Sequence, residues 1–374
     1  MAFATSATSC VDSVLRRILI AAGGTLLASS VQAQPSPAGL TLPNGVASGD
    51  TTQTSTALWA RATALGTVNF TYALASDPAN ILGSFDVPAT TLLQPVKLQV
   101  SGLLPATRYV YTATDSAGAT SSGQFRTPAE ASVRAGLRLA ISGDWRGDLA
   151  PFPSVRNLAS RDPDLWVSFG DTAYADVPSP DLPIPQALTL NDFRVKQNEV
   201  YSSRLGLNTL RDVRESTSIL AVIDDHEVTN DFAGGEPPAS DPRFSGYSGA
   251  FINETELFLN GVQAFQEFNP INNEIYGATG DPRTAGKIKM YRERTYGQDA
   301  AIIMLDTRTF RDQALPAADP NDPASVMAFL VASFNPARTM LGSVQIDEVK
   351  ADLLEAQQAG VTWKFVLVPE PIQI

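Results

Sequence analysis

The stretch Ser218-Ile219-Leu220-Ala221-Val222-Ile223-Asp224-Asp225-His226-Glu227-Val228-Thr229-Asn230-Asp231 decides the fold. From Ile219 to Ile223 it is an unbroken apolar run, the pattern of a strand buried on both faces. It then releases four carboxylates, one imidazole and one carboxamide between Asp224 and Asp231, and His226 is the only histidine of the chain. Like charges at that density repel one another unless they are solvated or share a cation. Alone, the stretch reads equally as a polar loop after a core strand.

The same grammar recurs along the second half of the chain. Leu137 to Ile141 runs into Ser142-Gly143-Asp144-Trp145-Arg146-Gly147-Asp148, and Leu165 to Phe169 into Gly170-Asp171-Thr172-Ala173-Tyr174-Ala175-Asp176. Ala300 to Leu305 runs into Asp306-Thr307-Arg308, and Trp363 to Val368 into Pro369-Glu370-Pro371. Helices are expected at about 190–205, 252–268 and 343–359, and long surface loops at 175–190, 234–246 and 313–338. Strands alternating with helical segments imply α/β layering. Ligand sites in such sheets lie beyond the carboxyl ends of the strands. Asp144, Asp171, Asp225 and Asp306 are therefore expected along one edge. A site with more than one metal ion would remove their mutual repulsion, with Asp oxygen, Tyr phenolate and His nitrogen as suitable ligands.

The totals narrow the function classes. With 374 residues, 44% apolar and 18% charged, the chain is long enough for two or three domains with cores. A net charge of −12 and the lack of a basic cluster argue against nucleic-acid binding and are compatible with hard cations such as calcium. Residues 1–33 read as an export signal: Arg16 and Arg17, then the apolar Ile18 to Ser29, then Val31-Gln32-Ala33 before a cleavage site. The paired arginines fit the twin-arginine route or the ordinary one. Cys10, the only cysteine, lies in this segment, so the exported product would have neither a disulfide nor a thiolate ligand. No later segment is long and apolar enough to span a membrane, which points to a secreted or periplasmic protein.

Residues 34–45 are rich in Pro, Ala, Ser and Gly, as a linker would be. Residues 46–128 carry short alternating segments such as Ala57-Leu58-Trp59-Ala60-Arg61 and Tyr109-Val110-Tyr111-Thr112-Ala113, expected to form a small antiparallel β-sandwich. Leu103-Leu104-Pro105-Ala106-Thr107-Arg108-Tyr109 resembles fibronectin type III modules.

Together, Ser142-Gly143-Asp144-Trp145, Gly170-Asp171 with Tyr174, Asp224-Asp225-His226-Glu227-Val228 with Asn230-Asp231-Phe232, Leu305-Asp306-Thr307-Arg308 with Arg311, and Met340-Leu341-Gly342 with Gln345 resemble the alkaline phosphatase D (PhoD-like) family of calcineurin-like metallophosphoesterases. The likeness runs from about residue 46 to the end. It implies a four-layer α/β/β/α metallophosphoesterase domain over 129–374, preceded by the β-sandwich. It further implies an exported phosphatase or phosphodiesterase, in which a metal-bound hydroxide attacks a phosphate ester in line. By the resemblance, Asp171 bridges the metals, Tyr174 supplies a phenolate to iron, Asp144 is the opening ligand of the first motif, Asp225 is a ligand to the second metal, and His226 protonates or orients the leaving oxygen, with iron and calcium as the metals implied. Alternatively His226 is a structural histidine anchored by Asp224 or Glu227. Asn230 either touches a phosphate oxygen or caps a helix, and Arg146 and Arg308 either bind phosphate or form ion pairs.

The chain departs from the family in two respects. A family cysteine near the first motif is replaced by Ser142-Gly143-Asp144, and later histidine-bearing motifs are missing. The chain is accordingly read as truncated at its C-terminus, binding metal weakly and turning over poorly. The alternative reading is a truncated or degenerate relative without turnover, acting as a calcium-binding surface or interaction module.

Overall fold

The computed structural model describes residues 41–370. The export signal 1–33 and most of the 34–45 linker lie outside the described residues. The first strands are β1 (Val46–Gly49), β2 (Ser55–Ala60), β3 (Gly66–Leu74), β4 (Asp77–Ala89), β5 (Val96–Ser101), β6 (Arg108–Asp115) and β7 (Thr120–Arg126). Strands β3, β4, β6 and β7 form an antiparallel sheet in the order β4-β3-β6-β7. Its inner face, with Val68, Phe70, Tyr109, Tyr111 and Phe125, packs against Val46, Leu58, Ala60, Val96 and Val100 of β1, β2 and β5.

Those three strands belong to a larger sheet. With β8 (Leu139–Ser142), β9 (Leu165–Phe169) and β10 (Ser218–Val222), they form six strands in the order β5-β2-β1-β10-β9-β8. The junction is parallel, with Ser48 opposite Ser218 and Gly49 opposite Ile219. Sequence patterning explains how it forms: Ala57-Leu58-Trp59-Ala60 is apolar on both faces and wholly buried. Leu58 and Ala60 enter the sandwich core, while Ala47 and Trp59 enter the core shared with β9 and β10. A Cβ at position 49 would lie 2.6 Å from the carbonyl oxygens of Ile219 and Pro270, so only glycine admits the close approach.

Helices α1 (Leu190–Tyr201), α2 (Thr209–Ser216) and α3 (Glu256–Phe268) contribute to the core against this sheet. Thr189 and Asp192 form a capping box at the start of α1. After the two-residue strands β11 (Glu274–Ile275) and β12 (Ile288–Lys289) comes a second sheet, β13 (Arg292–Tyr296), β14 (Ala300–Met304) and β15 (Trp363–Leu367), in that order. β14 is buried throughout: Ile302 and Met304 face the main core, and Ile303 packs with Val349 and Leu353 of a helix over Ser343–Gln358.

Two elements differ from the sequence reading. The expected loop at 313–338 contains a helix, α4 (Pro323–Ser333), and the helix at Ser343–Gln358 is thus α5. Asp322 caps α4 through Ala324 N, and Pro323 sets its first turn, a start signal masked by the flanking Pro and Asp residues. Helix α2 follows a short turn after α1, with Asn208 as its cap. The fold class is mixed α/β with several sheets, as the alternation of elements implied.

Candidate functional site

The three acidic motifs all leave the carboxyl ends of parallel neighbours, β8, β9 and β10. Each loop must turn sharply to bring its side chain back over the sheet edge. Asp144 (φ 61°) and Asp171 (φ 50°) both adopt left-handed backbone, which short polar side chains tolerate best. Gly170 is at φ 82°, and a Cβ there would meet the Asp224 Cβ at 2.5 Å. That glycine lets the Asp171 loop lie directly against the Asp224-Asp225 loop. Non-glycine residues at positive φ concentrate at functional sites.

The result is a cleft of about 270 Å³ lined by Asp144, Asp171, Asp224, Asp225, His226 and Asn230, with no Lys or Arg among its lining residues. One ligand atom from each of Asp171, Asp225 and His226 lies within 4.8 Å of the others. The Tyr174 hydroxyl sits 3.1 Å from Asp144 Oδ1 and 3.2 Å from Asp171 Oδ2. The Tyr174 and His226 rings stack with centroids 4.0 Å apart. The structure therefore brings together Asp144, Asp171, Tyr174, Asp225 and His226, and sets Asn230 at the rim.

The charges are strained in the way a cation would relieve. Burial and the neighbouring Asp225 carboxylate push Asp171 up to about 7. Burial and the Asp171 and Asp144 carboxylates push the Tyr174 phenol well above its ordinary value. For His226, burial works towards the neutral ring, but the Asp176 hydrogen bond and the surrounding carboxylates outweigh it and raise the imidazole to about 9. The donor set of carboxylate oxygens, one phenol and one imidazole fits hard or borderline cations. The left-handed backbone at Asp144 and Asp171 aims two of those donors inward. The residues present thus fit a metal centre.

Four supporting residues have partners that the sequence did not reveal, Arg308 among them taking the ion-pair alternative. Asp176 receives His226 Nδ1 at 2.7 Å and Asn230 N at 2.7 Å. Glu227 accepts Thr172 N at 2.5 Å and Asp224 N at 2.9 Å, bridging the two acidic loops from beneath. Arg308 pairs with Asp224, Asp225, Asp231 and Glu370. Glu370 also pairs with Arg311. Asp176 and Glu227 stand inside the quoted motifs, but no spacing rule says towards which partner either turns.

Other candidates sit elsewhere. Arg146 is held by Asp148 at 2.9 Å and lies over the Tyr174 ring at 5.7 Å. Asp306 does not line the edge of the cleft. It is fully buried, and its Oδ1 accepts Arg308 N and Thr309 N while Gln345 brackets its backbone. The strand before it ends in the second sheet, so its aspartate closes a turn rather than joining Asp171.

A family model described as PhoD-like phosphatase matches residues 141–373. The chain belongs to the PhoD-like phosphatase family. A second model, the PhoD-like phosphatase N-terminal domain, matches residues 27–129. Alkaline phosphatase D of Bacillus subtilis (strain 168) is 24% identical over 356 residues, covering 85% of this chain and 54% of that protein. A solved structure of PhoD superposes with a TM-score of 0.67 at 22% identity, covering 89% of this chain and 63% of that one. The chain thus spans little more than half the length of the curated relative it matches, and the likeness to the solved structure concerns the fold.

Proposed function

We propose that this PhoD-like chain is an exported, metal-dependent phosphoric ester hydrolase, acting on phosphate esters at the Asp171–Asp225–His226 cleft. The observation that carries the reading is the convergence of these three donors within 4.8 Å at the carboxyl ends of β9 and β10. Asp171, Tyr174 and Asp144 would hold one cation, and Asp171 with Asp225 a second, with iron and calcium as the pair that the family likeness favours. Bound there, cations acidify water and polarise phosphoryl oxygens.

The chain's own residues supply the rest. His226 is held at Nδ1 by Asp176, so Nε2 is the nitrogen free to serve the leaving oxygen. Stacking on Tyr174 fixes the plane of the ring. Asn230, whose backbone is tied to the same Asp176, lies at the rim with its amide donating to Asp231 Oδ2 at 2.8 Å, which leaves its second N–H for a phosphoryl oxygen. Arg146 is engaged by Asp148, which favours an ion pair over phosphate binding. Proton donation by His226 to the departing alcohol oxygen balances the proton lost by the attacking water.

The two sheets β8–β10 and β13–β15, with helices outside them, support the four-layer α/β/β/α reading, and the face-to-face packing of β1, β2 and β5 on β3-β6-β7 supports a fibronectin III-like module. No helix among the described residues is long and apolar enough to cross a membrane. The route of export and a secreted or periplasmic location rest on residues 1–33.

The test is hydrolysis of bis-p-nitrophenyl phosphate by the 374-residue chain with Ca²⁺, Fe³⁺ or Mn²⁺. Metal-dependent release that is lost in Asp171→Asn and His226→Ala supports the reading. Calcium uptake with no ester cleavage points instead to the interaction module. If Asp171→Asn leaves both metal content and hydrolysis unchanged, the assignment of the cleft is wrong.

A further inference from the structure

The two oxygens of Asp225 have unlike surroundings. Oδ2 accepts the backbone N–H of Asp231 at 2.6 Å and is ion-paired with Arg308 Nη2 at 3.1 Å. Oδ1 accepts no hydrogen bond from the described residues, and Asp225 is the member of the cluster that is fully buried. Arg308 cannot drift away from this contact. Its Nε lies 2.7 Å from Asp224 Oδ1, its Nη2 2.5 Å from Glu370 Oε1, and its side chain is 4% exposed. One planar guanidinium is thus fixed from several sides, with its Nη2 also ion-paired to one oxygen, Oδ2, of a candidate ligand.

We propose that Arg308 is a positioning residue that confines Asp225 to ligation through a single oxygen, and thereby tunes which size of divalent cation the cleft takes. The inference rests on reading the cleft as a cation site. Ca²⁺ takes six to eight oxygens from mono- or bidentate carboxylates, so a carboxylate held to one oxygen still serves it but narrows its margin over a smaller ion with a strict octahedral shell, and a carboxylate free to offer both widens that margin. With Arg308 removed, Asp225 Oδ2 keeps only the Asp231 N–H and becomes free to turn towards the ion. Outer partners of this kind typically change metal affinity by about 10–100-fold. Arg308 also neutralises charge, so its loss alters affinity for every cation. The ratio of affinities for two ions of equal charge cancels that common effect and isolates the geometric one.

The experiment measures Ca²⁺ and Mg²⁺ binding by titration calorimetry on the full chain, for wild type, Arg308→Met and Arg308→Lys, with circular dichroism as the control for folding. The expected result is a shift of the Ca²⁺-to-Mg²⁺ affinity ratio of about tenfold or more towards Ca²⁺ in Arg308→Met, with Arg308→Lys in between because an ammonium holds the oxygen less rigidly. An unchanged ratio, or one that moves towards Mg²⁺, overturns the proposal even if both affinities fall. If Arg308→Met does not fold, the ratio in Arg308→Lys decides. A wild-type chain that binds neither ion sinks the cation-site reading itself, a failure visible before any variant is made.

Discussion

The Asp176 carboxylate lies 2.7 Å from His226 Nδ1 and, through its other oxygen, 2.7 Å from the backbone N–H of Asn230. One side chain therefore orients the candidate acid and the rim loop together. Asp176→Asn leaves the shape intact but offers an amide that can meet Nδ1 with the wrong partner, freeing the ring to adopt the other tautomer. The expected outcome is a fall in kcat of about 10²–10⁴ with metal content unchanged. Because His226 is the only histidine, ¹⁵N-histidine labelling gives one imidazole to follow. Loss of its strongly hydrogen-bonded Nδ1 proton in Asp176→Asn, alongside the kinetic loss, marks orientation as the cause. A variant with wild-type kcat would refute the pairing as functional.

Asp171 is held up at about 7 by burial and by Asp225, so the metal-free cleft is under electrostatic stress. Asp171→Asn removes one of the crowding charges and the proposed central ligand at once. Thermal unfolding should then show two opposite effects. The metal-free variant should unfold at the same temperature as wild type or higher. The stabilisation from added metal, about 2.7 kcal/mol at a concentration of 100 Kd in wild type, should vanish. Retained metal stabilisation in Asp171→Asn would show that the ion binds elsewhere.

The pH dependence of the metal-free chain follows from His226. Its folded value is raised from 6.5 to about 9, despite burial, chiefly by the Asp176 hydrogen bond and charge. A raised value means that the folded state holds the proton more tightly. The stabilisation is fully present below pH 6.5 and is lost as pH rises through about 9. Its full size is at most roughly 3.4 kcal/mol. Urea unfolding of metal-free wild type and His226→Gln at pH 6 and pH 9.5 should show the wild type losing more stability over that interval. Parallel losses in the two proteins would mean that the proton is not held by this pair.

Burial of charge also ties the two halves of the chain together. Asp50, directly after β1, is fully buried between Arg292 Nε at 3.4 Å and Arg294 Nη2 at 3.2 Å, and accepts Asn272 N at 2.7 Å. Arg292 is itself wholly buried. Asp50→Ala removes the acidic partner of Arg294 and leaves Arg292 only Glu274 at 3.8 Å, and should cost about 3–5 kcal/mol, read from chemical denaturation. A cost below about 1 kcal/mol, the size of an exposed pair, would show that water reaches the cluster.

Local patterning carried the candidate site far. The runs before Asp144, Asp171 and Asp225 became β8, β9 and β10, and their adjacency in one parallel sheet was the step that the α/β alternation predicted. Asp306 followed the same grammar and went elsewhere, because an apolar run says that a strand is buried but not in which sheet. The joining of β1 to β10 was likewise hidden. Ala57-Leu58-Trp59-Ala60 shows apolar residues on both faces, yet only tertiary contact tells which neighbour covers the second face. The partners of Asp176, Glu227 and Arg308 were illegible for a related reason. Each acts across 50, 55 or 84 residues of chain, and polar partners at that separation leave no periodic trace.

Glu227 offers the sharpest test of how the two acidic loops are kept in register. Its Oε1 accepts Thr172 N and its Oε2 accepts Asp224 N, so one carboxylate spans the loop carrying Asp171 and the loop carrying Asp225. It is buried, and burial together with the Asp171 charge raises its pKa well above the ordinary value, so it sits there at an electrostatic cost. Glutamine matches its size but has only one acceptor oxygen, and its amide would face a backbone N–H as donor against donor. One loop must then detach. Glu227→Gln should lose about 1–3 kcal/mol of stability from the unmet group. It should also weaken metal binding, although no proposed ligand has been removed. Glu227→Ala frees both loops and should weaken metal binding further. The deciding measurement is metal affinity at a temperature where circular dichroism shows each variant fully folded. If affinity stays at the wild-type level in both variants, the spacing of Asp171 and Asp225 is set by the sheet alone and Glu227 has no part in it.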